Sequence, residues 1–176
     1  LEAVAAAAVP DIEEAIRMGG LAAVKAPRIK AVLNHVLEEV GSFDLSFLGE
    51  MPLDEAKAWL KRLDGIGPKT AAIILCFSLG MPAMPVDTHI HRVAKRLGLI
   101  GKKVTADKAH DLLEAQVSPG DVFAFHLYLI NHGRQVCKAL RPRCDQCVLA
   151  WSCPSRAGFE RAAQKRGGVA VRKRSS

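Results

Sequence analysis

Apolar positions recur every three or four residues along most of this chain, and no stretch alternates as a half-buried strand does. The pattern predicts an all-α protein. The stretch "PDIEEAIR" reads as a short helix with proline at its start and acids in its first turn, ending at Gly19-Gly20. "PRIKAVLNHVLEEVG" reads as a longer helix, with Ile29, Val32, Leu33, Val36, Leu37 and Val40 along one side and Gly41 as its stop. "SFDLSFLGEMP" is a connection. In "DEAKAWLKRL", Ala56, Trp59, Leu60 and Leu63 share a face by their spacing. "DGIG" leaves room only for a tight hairpin before an apolar run, Ala71 to Leu79, that predicts a helix buried on most of its faces.

"GMPAMP" interrupts the pattern at residues 80–85. Beyond it, "DTHIHRVAKRLG" predicts a helix capped by Asp87, with Ile90, Val93, Ala94 and Leu97 inward and Gly98 as the stop. Thr105 is the expected cap of "ADKAHDLLEAQV", and Asp121 that of "VFAFHLYLINHGRQ". The division is therefore a first helical domain over residues 1–81, a second over 82–158, and a basic, mobile tail over 159–176. No run of 18 apolar residues occurs, which excludes a membrane-spanning helix. "LEAVAAAAVPD" has neither the basic start of a signal peptide nor an initiator methionine, so the chain reads as a fragment of a cytoplasmic protein.

Charge changes the picture because it is uneven. Residues 1–64 carry seven Lys/Arg against eleven Asp/Glu, residues 65–155 eleven against six, and residues 156–176 seven against one. The basic second half points to a polyanion, and the usual one is nucleic acid. Lys165, Arg166 and the closing "RKRSS" would add salt-sensitive affinity of no sequence preference.

Four of the five cysteines fall in "CKALRPRCDQCVLAWSC", a C-x6-C-x2-C-x5-C spacing over Cys137, Cys144, Cys147 and Cys153. Four thiolates on one loop can close around a metal centre. One Cys-x2-Cys pair with two flanking singles suits an iron–sulfur cluster better than zinc or a pair of disulfides. Arg134, Lys138, Arg141 and Arg143 surround the loop with no acid before Asp145, as expected of a basic loop held in shape to meet phosphate oxygens. Cys76, alone in an apolar helix, reads as core, and Trp59 and Trp151 read as core or loop-packing residues rather than base-stacking platforms.

"LDGIGPKTA" combines a Gly-x-Gly turn with Pro68 as a helix-start residue and Lys69 in the first turn after it. The glycines let the backbone turn sharply and approach a partner, and the amides there are suited to a phosphate. Ile66 between them reads as the plug that pins the turn. Lys69 sits at the end of a helix dipole least favourable to a cation unless a phosphate lies nearby. Asp87 opens another helix 18 residues later. An amine and a carboxylate facing one cleft would make a nucleophile and a stabiliser of developing positive charge. The pair "DTHIH" suggests a hydrolytic metal site less well, because His89 and His91 are two apart and point to different sides of a helix, as surface or DNA-facing residues do.

The three motifs "LDGIGPKTA", "VDTHIHRVAKRLGL" and C-x6-C-x2-C-x5-C, in that order, resemble the endonuclease III family of helix-hairpin-helix DNA glycosylases. "GGLAAVKAPRI" is similar to a helix junction of the same family, and the match covers about residues 20–155. The resemblance implies two helical domains with double-stranded DNA across the cleft between them. It implies a 4Fe-4S cluster on Cys137, Cys144, Cys147 and Cys153, Lys69 as nucleophile and Asp87 as assisting carboxylate. The implied DNA-facing residues are Gly65, Ile66, Gly67 and Thr70 of the hairpin, with Arg134, Lys138, Arg141 and Arg143 of the cluster loop. A lysine at position 69 implies the bifunctional branch, which removes oxidised pyrimidines and nicks the strand at the abasic site, working as a monomer at the bacterial nucleoid if prokaryotic. The family also carries helices ahead of this chain's first residue, with a glutamine that fills the gap left by the flipped base. Nothing here matches that segment, so the first domain is expected to lack part of its wall. The alternative is a non-catalytic DNA-binding module that keeps the hairpin and cluster as structure; such a module needs neither Lys69 nor Asp87.

Overall fold

The structure is a computed structural model and describes residues 1–170. Among the described residues there is no strand. The helices are α1 (Glu2–Ala6), α2 (Val9–Ile16), α3 (Ala22–Val40), α4 (Leu53–Lys61), α5 (Pro68–Ile73), α6 (Thr88–Leu97), α7 (Ala106–Glu114), α8 (Val122–Gln135) and α9 (Arg156–Ala170). None is long and apolar enough to cross a membrane. The chain forms two compact units, the first Leu1–Met81 and the second from Pro82 onward.

In the first unit, α1 and α2 pack on α3, and α4 packs on α5. Ala56, Leu60 and Leu63 are buried as their spacing requires, with Ala26, Val36 and Leu48 completing much of the core. Trp59 lies at the edge of that core, edge-on to Phe47 at 5.4 Å between centroids and with the Arg62 guanidinium over its ring at 5.5 Å. The expected start of α3 at Pro27 is corrected: the helix begins at Ala22, after Leu21 takes a left-handed φ of 56°, and Pro27 lies inside it. Inside the helix, proline gives up the N–H that would reach back one turn and crowds the carbonyl of Ala23, and the packing of α3 against α2 offsets that cost. Leu37 is exposed although its spacing placed it with Val36.

The apolar run after the hairpin also departs from expectation. The α-helix ends at Ile73 and passes into a π-helical turn, Ile74–Ser78. Ala71, Ala72, Leu75 and Cys76 are buried, whereas Ile73 and Phe77 are 37% and 47% exposed, so within its unit the run has an inner and an outer face.

In the second unit, α6 crosses α8 closely at Gly133. A Cβ there would fall 2.9 Å from the Cβ of His89 and 3.3 Å from its backbone oxygen, so only glycine permits the crossing. Ile90, Val93 and Ala94 fill the inner face of α6, and Gly98 ends it at a φ of 78°. Asp87 and Thr105 cap as expected, accepting from Ile90 N at 2.8 Å and Lys108 N at 3.4 Å. Asp121 makes no such bond; it ends a 3-10 turn, Pro119–Asp121, that leads straight into α8. Residues 83–86, the interruption in the helical pattern, form a buried extended strap. Three of its backbone polar groups, buried away from water, are met by side chains. His110 Nδ1 lies 2.7 Å from Met84 O, His126 Nδ1 2.9 Å from Pro85 O, and Met84 N donates to Glu114 Oε2 at 2.9 Å. A carbonyl only accepts, so each imidazole carries its proton on Nδ1. The stretch read as a tail from residue 159 begins as part of α9; the side chains of Lys165 and Arg166 and the closing "RKRSS" lie outside the described residues.

Candidate functional site

In the first unit the hairpin is shaped by backbone. α4 gives way to a turn in which Ile66 N donates to Leu63 O at 3.0 Å, and Gly65 takes a φ of 88°. That left-handed conformation is what glycine supplies at no steric cost. Gly67 is extended and starts α5, where Pro68 takes the first position and Lys69 the next. Gly65, Gly67, Lys69 and Thr70 are exposed, and Ile66 is half-buried rather than a full plug. Asp64, Gly65, Ile66 and Thr70 line one groove with Lys25, Arg28, Ile29, Val32 and Leu33 of α3. The aliphatic stem of Arg28 lies 3.4 Å from where a Cβ on Gly65 would stand, so α3 backs the turn and brings two cations beside it. Lys25 and Arg28 were missed from sequence because nothing in their spacing ties them to a turn forty residues later.

In the second unit Asp87 is half-buried at the mouth of α6, directly after the clamped strap, and its Oδ1 is held by the Ile90 amide. Lys69 belongs to the first unit and Asp87 to the second.

All five cysteines are unpaired thiols, which removes the disulfide alternative for the loop. Cys137, Cys144, Cys147 and Cys153 line one cavity together with Arg96, His132, Arg143, Arg156 and Phe159. Burial pushes the Cys144 thiol up, and the nearby Cys137, Cys147 and Cys153 sulfurs and the Glu160 carboxylate add to it, as expected where several potential anions share one pocket. Among the described residues no group of three or more His, Cys, Asp or Glu is positioned to hold a metal ion. Four cysteines that line one cavity are a donor set of the kind thiolate-held metal centres use. Cys76 stays apart and buried, its thiol raised by burial.

The loop is fastened by two arginines of α6 that the sequence reading passed over. Arg92 Nε donates to Cys137 O at 3.0 Å and its Nη2 to Gly133 O at 2.7 Å. Arg96 donates from Nη1 to Lys138 O at 2.7 Å and to Cys137 Sγ at 3.3 Å, and from Nη2 to Ala139 O at 3.0 Å. His132 Nε2 lies 3.7 Å from Cys147 Sγ, and burial holds its imidazole below the ordinary histidine value. The two histidines of "DTHIH" are half-buried and each is hydrogen-bonded within the second unit. His89 Nδ1 accepts from Arg92 Nη2 at 3.2 Å, and His91 Nε2 meets Val104 O at 2.9 Å. Of the basic residues read around the loop, Arg134, Arg141 and Arg143 are exposed and Lys138 is half-buried; Arg141 takes a left-handed φ of 54°. Trp151, expected to pack within the loop, is 85% exposed.

Residues 1–119 match the family described as "HhH-GPD superfamily base excision DNA repair protein", a stretch holding the hairpin, Lys69 and Asp87. Endonuclease III of Sulfolobus acidocaldarius is 35% identical over 142 residues, which cover 81% of this chain and 61% of that protein. The chain thus spans about three fifths of the length of such relatives. A non-covalent endonuclease III–DNA complex is similar in structure, with a TM-score of 0.75 and 30% identity over 90% of this chain and 70% of that one. A trapped endonuclease III–DNA covalent intermediate has the same TM-score, 0.75, at 29% identity, over 89% of this chain and 70% of that one. The all-helical architecture agrees with these matches, and the chain belongs to the HhH-GPD superfamily of base excision DNA repair proteins, within its endonuclease III family.

Proposed function

We propose that this protein is a DNA glycosylase and abasic-site lyase of base excision repair, acting on oxidised pyrimidines in double-stranded DNA. The observation that carries the reading is an exposed Lys69 in the first turn after a Gly65-Ile66-Gly67 hairpin whose groove also holds Lys25 and Arg28, in a chain of this family. Its relatives support it further, one of them captured as a covalent intermediate with DNA.

A base stacked in the duplex is out of reach, so the damaged nucleotide is flipped out before chemistry. The free amine of Lys69 attacks C1′ as the glycosidic bond breaks and the base leaves with the bonding pair. Asp87 stabilises the positive charge that develops on the sugar. The sugar ring then opens: the C1′–O4′ bond breaks, O4′ takes up a proton from the amine, and an imine is left between Nζ and C1′. The imine draws electrons from the C2′–H bond, and the 3′ phosphate departs by β-elimination. Hydrolysis then returns the lysine.

The amides and Thr70 hydroxyl of the hairpin hold phosphates near the lesion, and Arg134, Lys138, Arg141 and Arg143 hold the backbone further along. Cys137, Cys144, Cys147 and Cys153 would carry a 4Fe-4S cluster, which as a structural centre keeps this basic loop in shape. The working form is a monomer located with chromosomal DNA.

Borohydride reduction on duplex DNA with one abasic site tests the reading. A denaturation-resistant protein–DNA adduct with wild type and none with Lys69→Ala is the expected result. Absence of the adduct in a folded wild type that binds DNA sinks the lyase assignment and leaves a binding module.

A further inference from the structure

The guanidinium of Arg96 is used on both its edge and its face. Its edge reaches the cysteine loop, at Lys138 O, Ala139 O and Cys137 Sγ. Its face is covered by the ring of Phe159, 4.5 Å from Cζ to the centroid. Phe159 comes from α9, whose first residue stands three positions after Cys153, and both Phe159 and Arg156 line the cavity shared by the four cysteines. The Cys153 thiol in turn lies 3.5 Å from the Arg96 carbonyl oxygen, so the last cysteine ties the start of α9 to the same arginine.

We propose that Phe159 and Arg96 form a cap on the cysteine cavity, with α9 as its lid and the Arg96 N–H as a donor to the Cys137 sulfur. The inference rests on the reading of that cavity as a cluster site. An apolar ring over the guanidinium keeps water from competing for its donors, and a cation held over an aromatic face is strongest where it is partly desolvated. An N–H directed at a ligating sulfur, together with the guanidinium charge, stabilises the more reduced, more negative state of an iron–sulfur centre and raises its potential. Solvent exclusion by Phe159 slows access of oxidants and chelators to the sulfurs. Both are positioning residues: neither touches DNA in the proposed reaction.

The test follows loss of the cluster's visible absorption in air with a chelator present, on full-length protein whose iron content has been measured first. Phe159→Ala is expected to bleach roughly three- to tenfold faster than wild type, the range covered by losing a cation–π contact partly shielded from water. Phe159→Trp should restore the wild-type rate. Phe159→Leu, which keeps apolar cover without the π face, should fall between them. Because a substitution that merely loosens α9 also speeds bleaching, the second readout is the reduction potential of Arg96→Met, expected to be more negative than wild type with helix content unchanged. Iron-loaded Phe159→Ala that bleaches at the wild-type rate, or an Arg96→Met potential equal to wild type, overturns the cap alone. A wild-type protein that takes up no iron on reconstitution overturns the cluster reading and the cap with it.

Discussion

The hairpin of the first unit and the cysteine loop of the second are built by opposite means. The hairpin is a local object: one left-handed glycine at Gly65, one extended glycine at Gly67, a proline at the helix start and a single backbone bond across the turn. The cysteine loop has little regular structure of its own beyond a 3-10 turn at Cys144–Gln146. It takes its shape from Arg92 and Arg96, more than forty residues earlier in the chain, through bonds to backbone oxygens of residues 133 and 137–139. A motif made of backbone angles is robust to its surroundings, whereas a loop made of long-range donors depends on an entire helix being in register.

The largest expected effect is on chemistry at the hairpin. Lys69→Ala should lower strand cleavage at an abasic site by roughly 10³-fold or more while leaving DNA affinity and the thermal midpoint nearly unchanged, since the proposed nucleophile is removed and an exposed side chain gives up no packing. Gel-based cleavage and fluorescence anisotropy on the same preparation separate the two. A comparable fall in affinity would show that the hairpin also depends on this side chain for its shape.

Gly133→Ala attacks the other region where it is least tolerant. The added methyl meets His89 Cβ at 2.9 Å, and neither helix backbone can yield cheaply, so a loss of about 1–3 kcal/mol is expected. It should appear in chemical denaturation together with loosening of the cysteine loop, because Arg92 bonds to Gly133 O as well as Cys137 O. If stability falls while the cysteine loop keeps its protection from proteolysis, the loop is less dependent on the α6–α8 register than the geometry implies.

Gly65→Ala is the local counterpart. A non-glycine residue at a φ of 88° costs about 1–2 kcal/mol, and the neighbouring Arg28 stem must also shift slightly. Weaker binding to undamaged duplex, with the second unit's unfolding unchanged, is the result that fits a self-contained motif.

The smallest effect concerns the strap. Burial holds the His110 imidazole below the ordinary value of 6.5, outweighing the Met84 carbonyl and the nearby Asp111, Asp107 and Glu114, which act in the opposite direction. The unfolded chain therefore takes up this proton first as pH falls. The stability carried by neutral His110 is complete above about pH 6.5 and declines as pH drops below it. Thermal melts from pH 7.5 to 5.5 should show this slope, and His110→Gln, which can still donate to Met84 O, should flatten it. An unchanged slope would place the titration elsewhere.

What could be read without the fold was whatever is encoded within one or two turns of chain. The Gly-Ile-Gly turn, the caps at Asp87 and Thr105, the stops at Gly41 and Gly98, and the spacing of the four cysteines all belong here, because backbone angles and caps depend on near neighbours. The same local logic failed at Pro27, at Asp121 and along residues 71–79. There, packing against another element decides whether a proline stays within a helix, whether a cap is used, and which side of an apolar run is buried.

By itself, then, the order of residues determined the helical class, the hairpin, the candidate nucleophile and carboxylate and the clustering of four cysteines in one short loop. Tertiary structure alone decided that Lys25 and Arg28 stand beside the turn, that His110, His126 and Glu114 clamp the strap leading to Asp87, and that Arg92, Arg96 and Phe159 hold the cysteine loop. The reason is common to all three. A buried carbonyl, a guanidinium face or an exposed turn places no demand on its own neighbours in sequence; it is met by whichever side chain the folded chain brings within reach.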